Sequence, residues 1–143
     1  MFNQTGTPWH PGEMALQNHF GVASRMAEIG SKVIRTELID QYREFYPLLP
    51  MVVLGAVDEK GDVWATVRAG VPGFMTAPDP HHLNVDLPRD SSDPADAGMD
   101  DGAALALLGI DLRTRRRNRM NGHILRNGPA RFRLGVEQSF GNC

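Results

Sequence analysis

Two β-branched runs separated by a tight turn constrain this chain more than any other feature. Met51-Val52-Val53-Leu54-Gly55-Ala56-Val57 and Val63-Trp64-Ala65-Thr66-Val67 flank Asp58-Glu59-Lys60-Gly61, a turn with glycine at its last position. Runs of this kind pair as a hairpin. A second hairpin is marked by Asn127-Gly128, between expected strands at 119–125 and 131–136. Residues 105–112 are apolar at both alternating sets of positions, the pattern of a central strand. Pro72-Gly73 interrupts the chain before a strand at 74–76, Asp79-Pro80 is expected to cap a helical turn, and 84–87 reads as another short strand. Strand follows strand with no regular βαβ alternation, so six or seven strands are expected in a mostly antiparallel barrel.

The first half reads differently. Residues 1–12, with Gly6, Pro8, Pro11 and Gly12, read as a flexible arm, and 13–143 as a single domain. A first helix is expected from Pro11 to Ile29, despite Gly21 in its middle. A second is expected to start at Thr36 as N-cap and to stop at Pro47, with Leu38, Ile39, Tyr42, Phe45 and Tyr46 as its apolar stripe. Residues 88–102, rich in Asp, Pro and Gly, read as a flexible or short-helical connection.

No apolar run approaches the roughly 18–20 residues that span a bilayer. The start carries no basic segment followed by an apolar one, so a cytoplasmic protein is expected, without membrane partners. The single cysteine, Cys143, excludes an internal disulfide. The net charge of −2 conceals a segregation. Seven Asp and one Arg fall between Asp79 and Asp101, and eight Arg with no acid fall between Arg113 and Arg133. Thirteen of the fifteen Lys and Arg residues are Arg. Its planar fork matches phosphate and carboxylate, so an anion site is indicated beside the plainer reading of a solvated basic edge.

The sequence has no Gly-x-Gly-x-x-Gly, Walker A loop, Gly-x-Ser-x-Gly or His-Glu-x-x-His. The adjacent pair His81-His82 cannot readily point at one metal ion, so no metal site is expected. The informative segment is Arg113-Thr114-Arg115-Arg116-Arg117-Asn118-Arg119-Met120-Asn121-Gly122-His123. Its guanidinium groups should converge at one rim of the barrel, and in an extended chain Arg119, Asn121 and His123 share a face. Aromatic residues that would stack nucleic-acid bases are missing around it, so a compact phosphate-bearing ligand is favoured over nucleic acid. Trp64 and Phe74, taken alone, read as barrel core. Gly55, Gly61, Gly73 and Gly122 read as turn and bulge positions.

The order and spacing of Val53-Leu54-Gly55-Ala56-Val57-Asp58-Glu59-Lys60-Gly61-Asp62-Val63-Trp64-Ala65, Gly73-Phe74-Met75, Asp79-Pro80, Leu108-Gly109-Ile110, Arg115-Arg116-Arg117-Asn118-Arg119-Met120-Asn121-Gly122 and Gln138-Ser139-Phe140-Gly141-Asn142-Cys143 resemble the pyridoxamine 5′-phosphate oxidase-like flavin proteins. The resemblance implies a split β-barrel homodimer with two N-terminal helices and FMN at the subunit interface. It implies that Trp64, Ala65, Thr66 and Val67 lie along the flavin ring. Phe74, Met75 and Thr76 would match the oxidase's Gly-Phe strand, and His82 would stand near its phosphate-binding turn. Arg116, Arg117, Arg119 and Asn121 would hold the flavin, with Arg117 where the oxidase has Gln. Asp79-Pro80-His81-His82 replaces the oxidase's Ser-Arg-Lys cradle, and its C-terminal Arg-x-His is missing. An oxidoreductase acting on an unidentified small molecule is therefore expected, rather than a pyridoxamine phosphate oxidase. A non-catalytic flavin- or heme-binding module on the same barrel is the alternative. Chains of this branch continue past the final motif, which implies further sequence beyond Cys143.

Overall fold

A computed structural model describes residues 7–141. Asn142 and Cys143, the end of the last motif, lie outside the described residues, as do residues 1–6 of the expected arm. The chain groups into two compact units, one through Arg35 and one from Thr36.

The first unit holds two helices, α1 (Pro11–His19) and α2 (Ala23–Val33). The single helix expected from Pro11 to Ile29 is broken because Gly21 takes a left-handed backbone with φ 67°, which glycine adopts at little cost. The His10 ring caps α1: its Nδ1 accepts from the Gly12 amide at 3.0 Å, while the Glu13 carboxylate accepts from the His10 amide at 2.9 Å. This reciprocal arrangement satisfies amides that a helix start leaves orphaned. Trp9 ties the preceding residues to α2 by donating its indole N–H to the Met26 carbonyl at 3.1 Å.

The second unit runs α3 (Asp40–Phe45), a 3-10 turn at Tyr46–Leu48, β1 (Met51–Val57), β2 (Val63–Ala69), β3 (Met75–Asp79), β4 (His82–Val85), a 3-10 turn at Pro94–Gly98, β5 (Ala104–Asp111), β6 (Arg116–Leu125) and β7 (Phe132–Gly141). The seven strands form one antiparallel sheet in the order β2-β1-β5-β6-β7-β4-β3, which does not close on itself. Both expected hairpins are present, and β5 is central, paired with β1 and β6.

Four boundaries differ from the sequence reading. α3 starts at Asp40 rather than after Thr36, because the Leu38 amide donates to the Pro80 carbonyl at 2.7 Å and holds that stretch extended. Asp79-Pro80 forms the tight β3–β4 turn instead of a helical turn, with Asp79 Oδ1 accepting from the His81 amide at 2.8 Å. β6 begins at Arg116 rather than Arg119, and β7 runs on to Gly141 rather than stopping at Val136, because the two strands stay paired along almost their full length. The acidic 88–102 connection is an ordered strap with a 3-10 turn in its middle.

The alternation in each strand sets the core. Val52, Leu54 and Ala56 of β1, Leu105 and Leu107 of β5, Met120 and Ile124 of β6, and Leu134 of β7 point inward and are buried. Phe45, Tyr46 and Leu49 plug one end. Tyr46 is fully buried, and its hydroxyl donates to Asn118 Oδ1 at 2.5 Å. The Asn118 amide passes the network on to the Phe140 carbonyl at 3.0 Å. Burial pushes the Tyr46 phenol well above its ordinary range, so it stays a neutral donor.

Candidate cofactor-binding face

Paired residues on neighbouring strands share a face of the sheet, so the register also fixes the surface turned away from the core. One row reads Val67–Val53–Leu108–Arg119–Phe140. The next reads Ala65–Gly55–Ala106–Asn121–Gln138. Across β2, β1 and β5 this surface is apolar, formed by Val67, Val53 and Leu108 and by the small residues Ala65, Gly55 and Ala106; at β6 it turns cationic and polar. β2 is an edge strand, and its outward residues Val63 and Val67 are 80% and 61% exposed. An unpaired edge carrying exposed valines is a surface that proteins normally cover.

Arg117, Arg119, Asn121 and His123 line the polar side of that surface, each two residues from the next and so about 7 Å apart along the strand. Neither Arg117 nor Arg119 has a carboxylate partner among the described residues. The Asn121 amide donates to Gln138 Oε1 at 3.0 Å, and His123 Nδ1 lies 2.6 Å from Glu137 Oε1. This last pair depends on a β-bulge between Asn121 and Gly122: Glu137 is the extra residue that β7 carries between Val136 and Gln138. Gly122 permits the bulge, since a Cβ there would stand 1.9 Å from the Gly135 carbonyl oxygen. The sequence marks Gly122 as a bulge glycine but gives no sign that Glu137 turns toward His123.

The other expected site residues are divided among several places. Trp64 and Thr66 lie on the opposite face of β2 from Ala65 and Val67. The Trp64 side chain is partly exposed rather than core, and its indole donates to Asp58 Oδ2 at 2.9 Å. The Thr66 hydroxyl donates to Asp93 Oδ2 at 2.7 Å. Phe74 and Met75 are buried in the core, as the plain reading of Phe74 has it. Thr76 lines a separate groove of about 570 Å³ with Asn84, Asp86, Arg131 and Arg133. His82 is on β4, and its ring Nδ1 is 2.9 Å from Asp79 Oδ1. The Asp79 carboxyl is held below its usual range, chiefly by the His81 amide and also by His82. His82 and His123 both pair with Gly135, so they flank that glycine on one face.

The arginine cluster does not converge on one point. Arg117 and Arg119 belong to the outward face, whereas Arg116 has the opposite parity and its guanidinium lies over the Phe45 ring, 5.2 Å from the centroid. A network missed by the sequence reading sits across the inner face of β2. There Arg89 Nε donates to Asp96 Oδ2 at 2.6 Å and Arg89 Nη1 to Asp100, while Arg68 Nη1 lies 3.8 Å from both Asp93 and Asp96. Only the clustering of Asp in 88–102 hints at it, since the arginines come from β2 and from within the strap.

No family model and no curated protein matches the chain. Solved structures do. HupZ of group A Streptococcus, in a variant with one histidine replaced by alanine, superposes with TM-score 0.56 at 13% identity over 73% of this chain and 99% of that one. A Lactobacillus delbrueckii protein provisionally called a pyridoxamine 5′-phosphate oxidase gives 0.56 at 20% identity over 74% and 95%. A second HupZ structure gives 0.53 at 17% identity over 73% and 94%. The fold is a split barrel. In this split barrel, the outward face of β2, β1, β5 and β6 offers an apolar seat bordered by unpaired guanidinium groups. Those are the two surfaces a flat ring carrying a phosphate requires, so the residues present fit FMN. Among the described residues no three His, Cys, Asp or Glu side chains gather as a metal site, and no helix is long and apolar enough to cross a membrane.

Proposed function

We propose that the chain binds FMN at the seam of a homodimer and serves as a flavin-dependent oxidoreductase acting on a small molecule. One observation carries this reading: Arg117 and Arg119, without carboxylate partners among the described residues, stand on the same sheet face as the exposed apolar surface of edge strand β2. The sequence resemblance and the name of the Lactobacillus neighbour support it.

In this reading Arg117 and Arg119 hold the dianionic phosphate, for which charge-assisted guanidinium bonds are well suited. Ala65 and Val67 seat the ring and keep water from it, and the unpaired edge of β2 offers backbone groups to the ring's polar rim. Asn121, oriented by Gln138, supplies a further amide. A second copy laid over Val63 and Val67 closes the site and covers the exposed edge. Bound flavin supplies the acceptance and release of a hydride or of electrons. His123, held by Glu137, stands two residues from Asn121 on this face.

The test is the visible spectrum of freshly purified protein, followed by FMN titration and a solution mass. Paired flavin bands and a mass near twice that of the chain are expected. A monomer that binds FMN would refute the seam, and a chain that takes up no FMN would refute the reading. A sharp Soret band would replace FMN with heme on the same barrel.

A further inference from the structure

A second basic site lies at the start of β6. The β5–β6 hairpin is fastened by Asp111, whose carboxylate accepts from the Arg113 amide at 3.0 Å and the Thr114 hydroxyl at 3.0 Å. This leaves Arg115 in the left-handed region with φ 61°, the one non-glycine residue there among those described. A bulky side chain rarely occupies that region unless its surroundings hold it, and such outliers gather at ligand sites. Arg115, Arg116 and Arg117 line a cleft of about 470 Å³, bordered on the far side by Gln41, Tyr42 and Phe45 of α3. None of these guanidinium groups has a carboxylate partner among the described residues. The Arg116 guanidinium stands over the Phe45 ring, 5.2 Å from its centroid, a cation–π contact inside the cleft.

We propose that this cleft binds a phosphorylated small molecule, its phosphate between Arg115 and Arg116 and its body along Tyr42 and Phe45. The volume suits a ligand of metabolite size. The chemistry is set by three unneutralised planar forks, those of Arg115, Arg116 and Arg117, beside a phenol and an amide, with no acid among the cleft's lining residues. Arg117, which borders the FMN face, also lines this cleft, so the two sites adjoin at that residue; the proposal does not depend on the flavin reading.

Inorganic pyrophosphate is the probe, titrated calorimetrically into the full chain at low salt, with and without saturating FMN. One pyrophosphate per chain is expected, bound equally well with FMN present. Arg116→Gln and Arg115→Gly should each weaken it at least tenfold, and Tyr42→Phe severalfold. Arg115→Gly also guards against misfolding, because glycine suits φ 61°; its thermal midpoint should rise as its affinity falls. Arg131→Gln, which lies outside this cleft, should leave pyrophosphate binding unchanged. Equal weakening by Arg131→Gln would reduce the effect to general surface charge and overturn the site. Unchanged affinity in Arg116→Gln would overturn it as well. One-for-one displacement by FMN would assign the cleft to the flavin's own phosphate and end the claim of a second site. If FMN fails to bind at all, the flavin reading falls while the pyrophosphate arm still decides this one.

Discussion

The arginines of this protein live in two unlike settings. Arg68 and Arg89 meet Asp93, Asp96 and Asp100 across the inner face of β2, and Asp96 is only 4% exposed. Arg115, Arg116, Arg117 and Arg119, at the start of β6, have no carboxylate partner among the described residues. In the first setting charge is consumed in holding the strap against the sheet. In the second it stays available. The segregation visible in the sequence is therefore partly cancelled on folding, and the densest run of arginines left without a carboxylate lies at one hairpin. Removing charge should cost stability in the strap and ligand affinity in the hairpin.

The largest expected effect is on the strap. Asp96→Ala removes the buried carboxylate shared by Arg68 and Arg89, which keep only Asp93 and Asp100, and removing one partner of a buried pair costs about 3–5 kcal/mol. Arg89 is partly exposed, so the lower end, about 3 kcal/mol, is expected. Urea denaturation reads it directly. A loss below about 1 kcal/mol would place the strap with ordinary surface ion pairs and erase the contrast.

Next comes Arg117→Ala. FMN binding should weaken by about 1.5–3 kcal/mol, the scale of a hydrogen bond to a charged group, while stability moves by no more than about 0.5 kcal/mol, as for a surface change. Fluorescence titration and thermal melting read the two quantities. Unchanged FMN affinity would remove Arg117 from the site.

Thr66 tests the border between the settings, because the family resemblance puts it on the flavin and the structure gives its hydroxyl to Asp93. Thr66→Val should cost about 1 kcal/mol of stability, a typical net hydrogen bond, with FMN affinity unaltered. Weaker FMN binding at unchanged stability would move β2's inner face into the site.

Much of this is legible in the sequence, and the residues show why. Alternation along 51–57 and 105–112 reports which side chains point inward, so hairpins, central strand and core can be read. The same alternation places Arg119, Asn121 and His123 on one face. It also separates Arg116 from Arg117 once β6 is started three residues earlier. The Glu137–His123 contact is invisible because a bulge inserts one residue and shifts the parity. The strap is illegible for another reason. Thr66 and Asp93 lie 27 residues apart, and nothing local in a run of Asp, Pro and Gly tells that Thr66 and Arg68 of β2 will meet it. Gly21 stands out in the sequence, but nothing there distinguishes its left-handed φ from that of a tolerated helical glycine.

The smallest effect concerns the one carboxylate at the base of the arginine hairpin. Asp111 is committed to the turn through the Arg113 amide, the Thr114 hydroxyl and the Arg113 side chain, rather than to Arg115–Arg119. These bonds hold its carboxyl below the ordinary value of 3.8, the Arg113 amide contributing most. A carboxyl depressed in the folded state adds stability that is fully present above its unfolded pKa and is lost as pH falls through the folded one. Asp111→Asn should therefore melt below the parent at pH 6, and the gap should narrow below about pH 3.8 and close in stronger acid. If Asp111 were instead neutralising Arg115 or Arg117, the same variant would tighten anion binding at neutral pH. Unaltered pyrophosphate affinity at pH 7 keeps this carboxylate in the turn and leaves the hairpin's charge free for a ligand.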